Sequence, residues 1–169
     1  MFGVKEYRVG SGTDFHRLVE GRPFILGGVT IPHHLGLLGH SDGDALVHAL
    51  IDALLGAAGK SDIGTLFPSS SVDWKGANSI SLLRKVWAEL KREKWEVVNI
   101  DCTVVAEAPP INPVANQMKE NLASVLEITT LQVGIKATTA EGLGAIGRQE
   151  GIMVNCVALL ERQKAKKSA

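Results

Sequence analysis

The sequence predicts a single α+β domain in which a mixed β-sheet is backed by helices on one face. Three observations carry that reading. Residues 97–106 alternate as a strand does: Val98, Ile100, Cys102 and Val104 fall on one face, and Asn99, Asp101, Thr103 and Val105 on the other. Residues 42 to about 56 and 78 to about 94 place apolar side chains at helical spacing. Across 169 residues there is no internal repeat, linker or break in composition, so one domain is expected, with a core over about 7–160 and a basic, frayed tail over 161–169.

The elements follow in chain order. Residues 7–10 read as a short strand entering the glycine-rich turn Gly10-Ser11-Gly12-Thr13-Asp14-Phe15-His16. Phe24-Ile25-Leu26 and Val29-Thr30-Ile31 flank Gly27-Gly28, a two-residue hairpin signal. Residues 32–39 read as a loop in which His33 and His34 are solvent-exposed. In the first long helix Ser41 or Asp42 is the expected cap, Leu46, Val47, Leu50, Ile51, Leu54 and Leu55 are the apolar positions, and His48 falls near the end of the second turn. Residues 59–71 form a loop of small polar residues. In the next helix Leu82, Leu83, Val86, Trp87 and Leu90 form the stripe and Asn78 the cap. Asn112-Pro113 opens another helix with Asn112 at the cap. Residues 132–138 form a strand, 141–148 a glycine-rich turn or short helix, and 151–160 the last strand. Three or four core strands result. No helix remains to cover the second sheet face, which implies an oligomer.

Composition excludes several classes. Lys+Arg and Asp+Glu both number 18, so the chain lacks the basic excess of a nucleic-acid binder, and any anionic ligand must be met locally. No apolar run is long enough to span a membrane, and strand-like sequence starts too early for a signal peptide. The expected setting is the bacterial cytoplasm, or a plastid-type organelle if a transit peptide has been removed. Cys102 and Cys156 sit in apolar strands without C-x-x-C spacing and read as buried free thiols.

Asp14-x-His16 places two ligand-type side chains on one side of an extended segment. His48 adds a third, which gives the ligand count of a catalytic zinc with its fourth position open. An aspartate in a turn and a lone histidine also have ordinary structural uses. His40, beside the helix start, suits a phosphate contact. Asp44, one turn before His48, reads either as its orienting partner or as a solvated carboxylate. In Lys136-Ala137-Thr138-Thr139-Ala140-Glu141, the threonines suit a phosphate and Glu141 a hard cation, or Thr138 or Thr139 caps a helix with Glu141 completing a capping box. Arg148 reads as an anion clamp or a surface arginine. Ala106-Glu107-Ala108-Pro109-Pro110-Ile111 is a small-residue loop able to read a flat ring edge-on, or simply a proline-stiffened connection.

These motifs come in a specific order: Gly10 to His16, His40-Ser41-Asp42-Gly43-Asp44 with His48, Asp62-Ile63-Gly64, and Thr138-Thr139-Ala140-Glu141 with Arg148. The sequence therefore resembles the 2-C-methyl-D-erythritol 2,4-cyclodiphosphate synthase family over residues 7–160. The resemblance implies a homotrimer with inward-facing sheets and three interface active sites. It implies cyclisation of 4-diphosphocytidyl-2-C-methyl-D-erythritol 2-phosphate with release of CMP. It implies zinc on Asp14, His16 and His48, magnesium or manganese at Glu141 with the substrate diphosphate, and transition-state roles for His40 and Thr139. Substrate contacts are implied at Asp14, Phe15, His16, His40, Ser41, at Asp62, Ile63 and Gly64 on the ribose side, and in the loop Phe67-Pro68-Ser69-Ser70-Ser71. Ala106 to Asn112 corresponds to the cytosine pocket; Thr138, Thr139, Ala140 and Glu141 lie near the phosphates, with Ala145 and Arg148 beyond.

The chain departs from the family at Thr13 and Ala145, where many members carry aromatics near a central trimer cavity that can hold an isoprenoid diphosphate. It also lacks the acidic residues usual after Pro68. Alternatives consistent with the ligand set are a metal-dependent nucleotide diphosphate hydrolase and a non-catalytic trimeric protein with a structural zinc, in which His40 would be the fourth ligand.

Overall fold

The computed structural model describes residues 4–164. Its main sheet has five strands in the order β4-β1-β7-β5-β6. These are β1 (Lys5–Val19), β4 (Gly36–Leu38), β5 (Glu96–Val105), β6 (Val133–Thr138) and β7 (Gly151–Gln163). Only β5 and β6 run parallel; the other pairs are antiparallel. A separate hairpin joins β2 (Phe24–Leu26) to β3 (Val29–Ile31) through Gly27 and Gly28, both at positive φ as such a turn demands. The helices are α1 (Ala45–Ala57), α2 (Ile63–Leu66), α3 (Ser79–Arg92), α4 (Ala115–Leu126) and α5 (Gly144–Gly147).

The expected turn at residues 10–16 is instead the middle of β1, which runs unbroken for 15 residues. Its glycines serve close packing. A Cβ on Gly10 would lie 2.1 Å from the Ala53 carbonyl oxygen, and one on Gly12 2.1 Å from that of Ala49. Their absence lets α1 rest directly on the strand backbone. The helix is consequently buried on nearly all sides, and Leu46, Val47, Leu50, Ile51, Leu54 and Leu55 are all in the core. Each such side chain contributes on the order of 1.5–3 kcal/mol by leaving water.

The cap of α1 is Asp44, not Ser41 or Asp42. Its side chain accepts the Val47 N–H at 3.1 Å, and His48 becomes the fourth helical residue rather than a second-turn one. Asn78 caps α3 as expected, and its predicted stripe is buried. Asn112 is not a cap: residues Asn112–Val114 form a 3-10 turn, and α4 begins after it. No helix opens at residues 138–141 either; α5 starts at Gly144 after Leu143, so the proposed capping box does not form. A register shift between Val97 and Asn99 changes the phase of β5, burying Val97 and leaving Val98 half-exposed. From Ile100 onward the expected alternation holds. The fifth strand, β4, is three residues inside the expected loop, too short to show a period. At the other end β7 extends to Gln163, so the first residues of the expected tail are strand, and residues 165–169 lie outside the described ones.

Cys102 and Cys156 oppose one another on β5 and β7, both buried and free. Burial pushes the Cys156 thiol well up. On the sheet face opposite α1, Tyr7, Val9, Phe15 and Val157 are exposed. Among the described residues no helix is long and apolar enough to cross a membrane.

Candidate functional site

Alternation along β1 turns Asp14 and His16 toward α1, and the first turn of α1 turns His48 back toward them. Gly39 makes room for His16: a Cβ there would sit 2.9 Å from the ring's Cε1. The His16 Nδ1–H donates to the Leu38 carbonyl at 2.5 Å, which leaves Nε2 as the free lone pair. That Nε2 lies 2.8 Å from Asp14 Oδ2 and 3.1 Å from His48 Nδ1. His48 Nδ1 is also 3.1 Å from Asp14 Oδ2, closing a triangle.

The triangle fits a divalent ion. Two ligand atoms about 2.0–2.1 Å from a tetrahedral zinc stand roughly 3.3 Å apart, near the observed edges. One carboxylate and two imidazoles form a donor set suited to zinc. Among the described residues this is the only cluster of three metal-type ligands. His40 does not join it; its Nε2–H donates to the Ser71 carbonyl at 3.0 Å. Among the described residues no fourth metal-type ligand joins the three, and three is the ligand count of a site that leaves a position for water or substrate. Burial raises the Asp14 carboxyl, but the adjacent His16 and His48 rings outweigh it and hold the group at about 2. Burial lowers the His16 imidazole, yet Asp14 brings it above its ordinary value.

Asp44 is neither of the things its position suggested. Its side chain is fully buried and accepts the N–H groups of Gly27 and Gly28 at 2.9 and 2.7 Å, besides that of Val47. Burial pushes it up to about 6, with those N–H groups opposing. Its carboxylate has no bond to the His48 ring, whose Nε2 instead lies 2.9 Å from both Ser41 Oγ and Ser79 Oγ.

Beside the triangle, His40, Ser41, His48, Ile63, Gly64 and Phe67 line a hollow of about 110 Å³ with Trp74 and Leu82. Asp62 caps α2, accepting the Thr65 N–H at 2.8 Å. Ser71 closes a turn onto the Pro68 carbonyl and caps the 3-10 turn Val72–Trp74, with the exposed Ser69 and Ser70 at its tip. Phe67 meets Trp74 edge to face at 5.0 Å.

A second hollow, about 230 Å³, lies at the other end of the sheet. Its wall is the predicted loop, through Ala106, Glu107, Pro109, Pro110, Ile111 and Asn112, and Thr138 and Thr139 face it from the end of β6. The Ala108–Pro109 peptide is cis. Glu107 ties the two segments together, accepting the Ala140 and Gly142 N–H groups at 2.9 and 3.2 Å. Thr139 Oγ1 donates to Glu141 Oε1 at 2.8 Å.

A family model described as the YgbB family matches residues 7–161. The chain belongs to the YgbB family. It is 55% identical over 155 residues, 92% of this chain and 99% of the relative, to a 2-C-methyl-D-erythritol 2,4-cyclodiphosphate synthase of Syntrophomonas wolfei. The solved bifunctional IspDF of Campylobacter jejuni superposes with a TM-score of 0.91 at 41% identity, covering 94% of this chain; the chain spans 43% of that longer one. A CDP complex of IspF from Plasmodium falciparum gives a TM-score of 0.82 at 34% identity, covering 94% of this chain and 97% of that one.

In this YgbB-family chain the structure brings Asp14, His16, His48, Ser41 and His40 into one region and Glu107, Thr138, Thr139 and Glu141 into another. The side chain of Phe15 lies exposed on the face opposite Asp14 and His16. Arg148 is exposed and paired with Glu150 at 2.7 Å, one residue beyond α5, which contains Ala145. His33 is half-buried, edge-on to Phe24 at 5.8 Å, rather than solvent-exposed. Sequence reasoning missed Ser79 and Asp52. Asp52 lies one turn after His48 and accepts the Ile63 N–H at 2.7 Å, a spacing that marks it as facing the same way. No local pattern marks Ser79.

Proposed function

We propose that the chain is a phosphorus–oxygen lyase that converts 4-diphosphocytidyl-2-C-methyl-D-erythritol 2-phosphate to 2-C-methyl-D-erythritol 2,4-cyclodiphosphate and CMP, in the non-mevalonate isoprenoid pathway. The observation that carries this reading is the open three-ligand triangle of Asp14, His16 and His48 in a member of this family. The cytidine nucleotide in a structural relative supports the substrate class.

The substrate's 2-phosphate attacks its β-phosphorus, and the bond from that phosphorus to the oxygen of CMP breaks. The nucleophile is already ionised at neutral pH, so no serine or cysteine is required. What the reaction needs is the positioning of two anionic ends of one molecule and relief of their repulsion. Asp14, His16 and His48 would hold zinc, and Glu141 would hold magnesium or manganese together with substrate phosphates; when bound, such cations polarise phosphate oxygens and offset charge on the leaving group. His40 and Thr139 supply donors toward the phosphates, and Ser41 a further contact. Asp62, Ile63 and Gly64 face the ribose. The loop 67–71 covers the site, and residues 106–112 hold the cytosine by backbone groups. Thr138 and Ala140 flank the diphosphate, with Ala145 and Arg148 nearer the trimer axis.

The two hollows do not join within one subunit. Asp14 pairs with Val154, Val154 with Val104, and Val104 with Ala137 on the rim of the second hollow. The metal triangle and the nucleotide pocket are thus three strands apart, about 14 Å at 4.7–4.9 Å per strand. Core residues Val104 and Val154 fill the row between them. A homotrimer with the uncovered sheet faces turned inward would set one subunit's pocket against the next subunit's triangle and bury Tyr7, Val9, Phe15 and Val157.

The test is incubation with the cytidyl substrate, zinc and magnesium, with nucleotides separated by chromatography. CMP released in step with substrate loss, and abolished by a chelator, is the expected result. Metal-independent release, or none from a zinc-loaded trimer, would overturn the reading.

A further inference from the structure

The His48 ring touches two hydroxyls at its outer nitrogen, and they are not equivalent. Ser79 is fully buried at the start of α3 and sits 2.9 Å from His48 Nε2. Its hydroxyl donates to Asp42 Oδ1. The same carboxylate accepts the Ser79 N–H at 2.9 Å and the Asp44 N–H at 3.2 Å. A carboxylate in that position only accepts, so the single Ser79 proton is committed to Asp42 and the oxygen's lone pairs are left for the imidazole. Ser41 Oγ, also 2.9 Å from Nε2, accepts the Gly43 N–H at 3.3 Å and lies 3.3 Å from Ser79 Oγ.

We propose that Ser79, locked by Asp42, is a positioning residue that keeps the His48 proton on Nε2 and so aims the Nδ1 lone pair into the triangle with Asp14 and His16. The proposal rests on the metal reading above and extends it to residues outside the ligand set. It gives both imidazoles the same logic. The Leu38 carbonyl holds the proton of His16 on Nδ1 and frees Nε2; the Asp42–Ser79 pair holds the proton of His48 on Nε2 and frees Nδ1. The pair is itself fixed by backbone bonds. The Asp42 N–H donates to the Ala77 carbonyl at 3.0 Å, and the Gly76 N–H donates to the His40 carbonyl at 2.8 Å. The segment that carries His40 and Ser41 is thereby stitched to the one that leads into α3. The competing arrangement has the Ser41 hydroxyl donating to Nε2, which forces the His48 proton onto Nδ1, facing Asp14.

The two arrangements are separated by long-range proton–nitrogen NMR of the imidazoles in metal-free, full-length protein at pH 8, paired with zinc affinity from competition with a chromophoric chelator. Neither readout involves turnover, so failure of the lyase reading leaves both interpretable. The wild type is expected to show His48 protonated at Nε2. Ser79→Ala and Asp42→Asn are each expected to mix the tautomers and to weaken zinc about 10–100-fold, the usual scale for losing an outer hydrogen-bond partner of a metal ligand. Ser41→Ala is expected to keep the wild-type tautomer. If Ser79→Ala does not fold, Asp42→Asn and the wild-type spectrum still decide. A wild-type His48 protonated at Nδ1, a Ser79→Ala or Asp42→Asn protein with unchanged tautomer and zinc affinity, or a tautomer change in Ser41→Ala alone would each overturn the proposal. A wild type that binds no zinc would overturn the metal reading as well.

Discussion

Asp44 and Gly28 are joined by a 2.7 Å hydrogen bond from the glycine N–H to the buried carboxylate, which pins the β2–β3 turn to the start of α1. The same side chain accepts the Gly27 and Val47 N–H groups, so one residue caps the helix that carries His48 and anchors the hairpin beside it. Asp44→Asn replaces an acceptor oxygen with an NH₂ that faces donors. It is expected to destabilise the protein by about 1.5–3 kcal/mol, the scale of losing a hydrogen bond to a charged group. Urea unfolding measures this, and an unchanged midpoint would refute the anchoring role.

His48→Ala removes one corner of the triangle while Leu46, Val47, Leu50 and Leu54 keep α1 seated. The expected protein folds with near-native circular dichroism, binds no stoichiometric zinc and has no measurable turnover. Retained turnover in a metal-quantified sample would refute the ligand assignment.

Glu141 stands in the second region with Thr139, away from the triangle. Glu141→Gln is expected to raise the magnesium concentration needed for turnover several-fold and to leave zinc content unchanged. If each site is built from two subunits, remixing Glu141→Gln with His48→Ala subunits after dissociation restores part of the activity that His48→Ala lacks. Loss of zinc in Glu141→Gln, or no gain on remixing, would contradict the arrangement.

Protons and metal compete at the triangle. In the metal-free protein Asp14 is held at about 2, below its ordinary 3.8, so its contribution to stability is present above about pH 4 and is lost as pH falls toward 2. His16 is raised above 6.5, so its contribution is present below 6.5 and is lost as pH rises through the raised value. An imidazole must be neutral to bind metal, so zinc affinity should fall between pH 8 and pH 6. Competition titrations at the two pH values check this; equal affinities would count against His16 as a ligand.

Much of this was legible from the chain. The helical stripe of α3, the Gly27-Gly28 hairpin and the D-x-H spacing each rest on a local rule, and each holds. The misreadings came where a local rule had two readings that only tertiary contacts separate. Gly10 and Gly12 look like turn glycines, yet a helix backbone fills the space where their Cβ atoms would be. Asp44 lies one turn before His48, and nothing local says that Gly27 and Gly28 will claim its carboxylate first. The Val97–Asn99 irregularity leaves no trace in hydrophobicity. Ser79 is 31 residues from His48 and belongs to another helix, so no spacing rule reaches it.

The central claim is that the Asp14, His16 and His48 triangle serves an intramolecular phosphoryl transfer. Phosphorus NMR of the protein with the cytidyl substrate, magnesium and zinc, beside a chelated control, tests it most directly. The expected spectrum shows CMP and the two coupled resonances of a cyclic diphosphate, both absent with chelator. CMP together with an open-chain bisphosphate would instead identify a metal-dependent hydrolase and contradict the cyclisation.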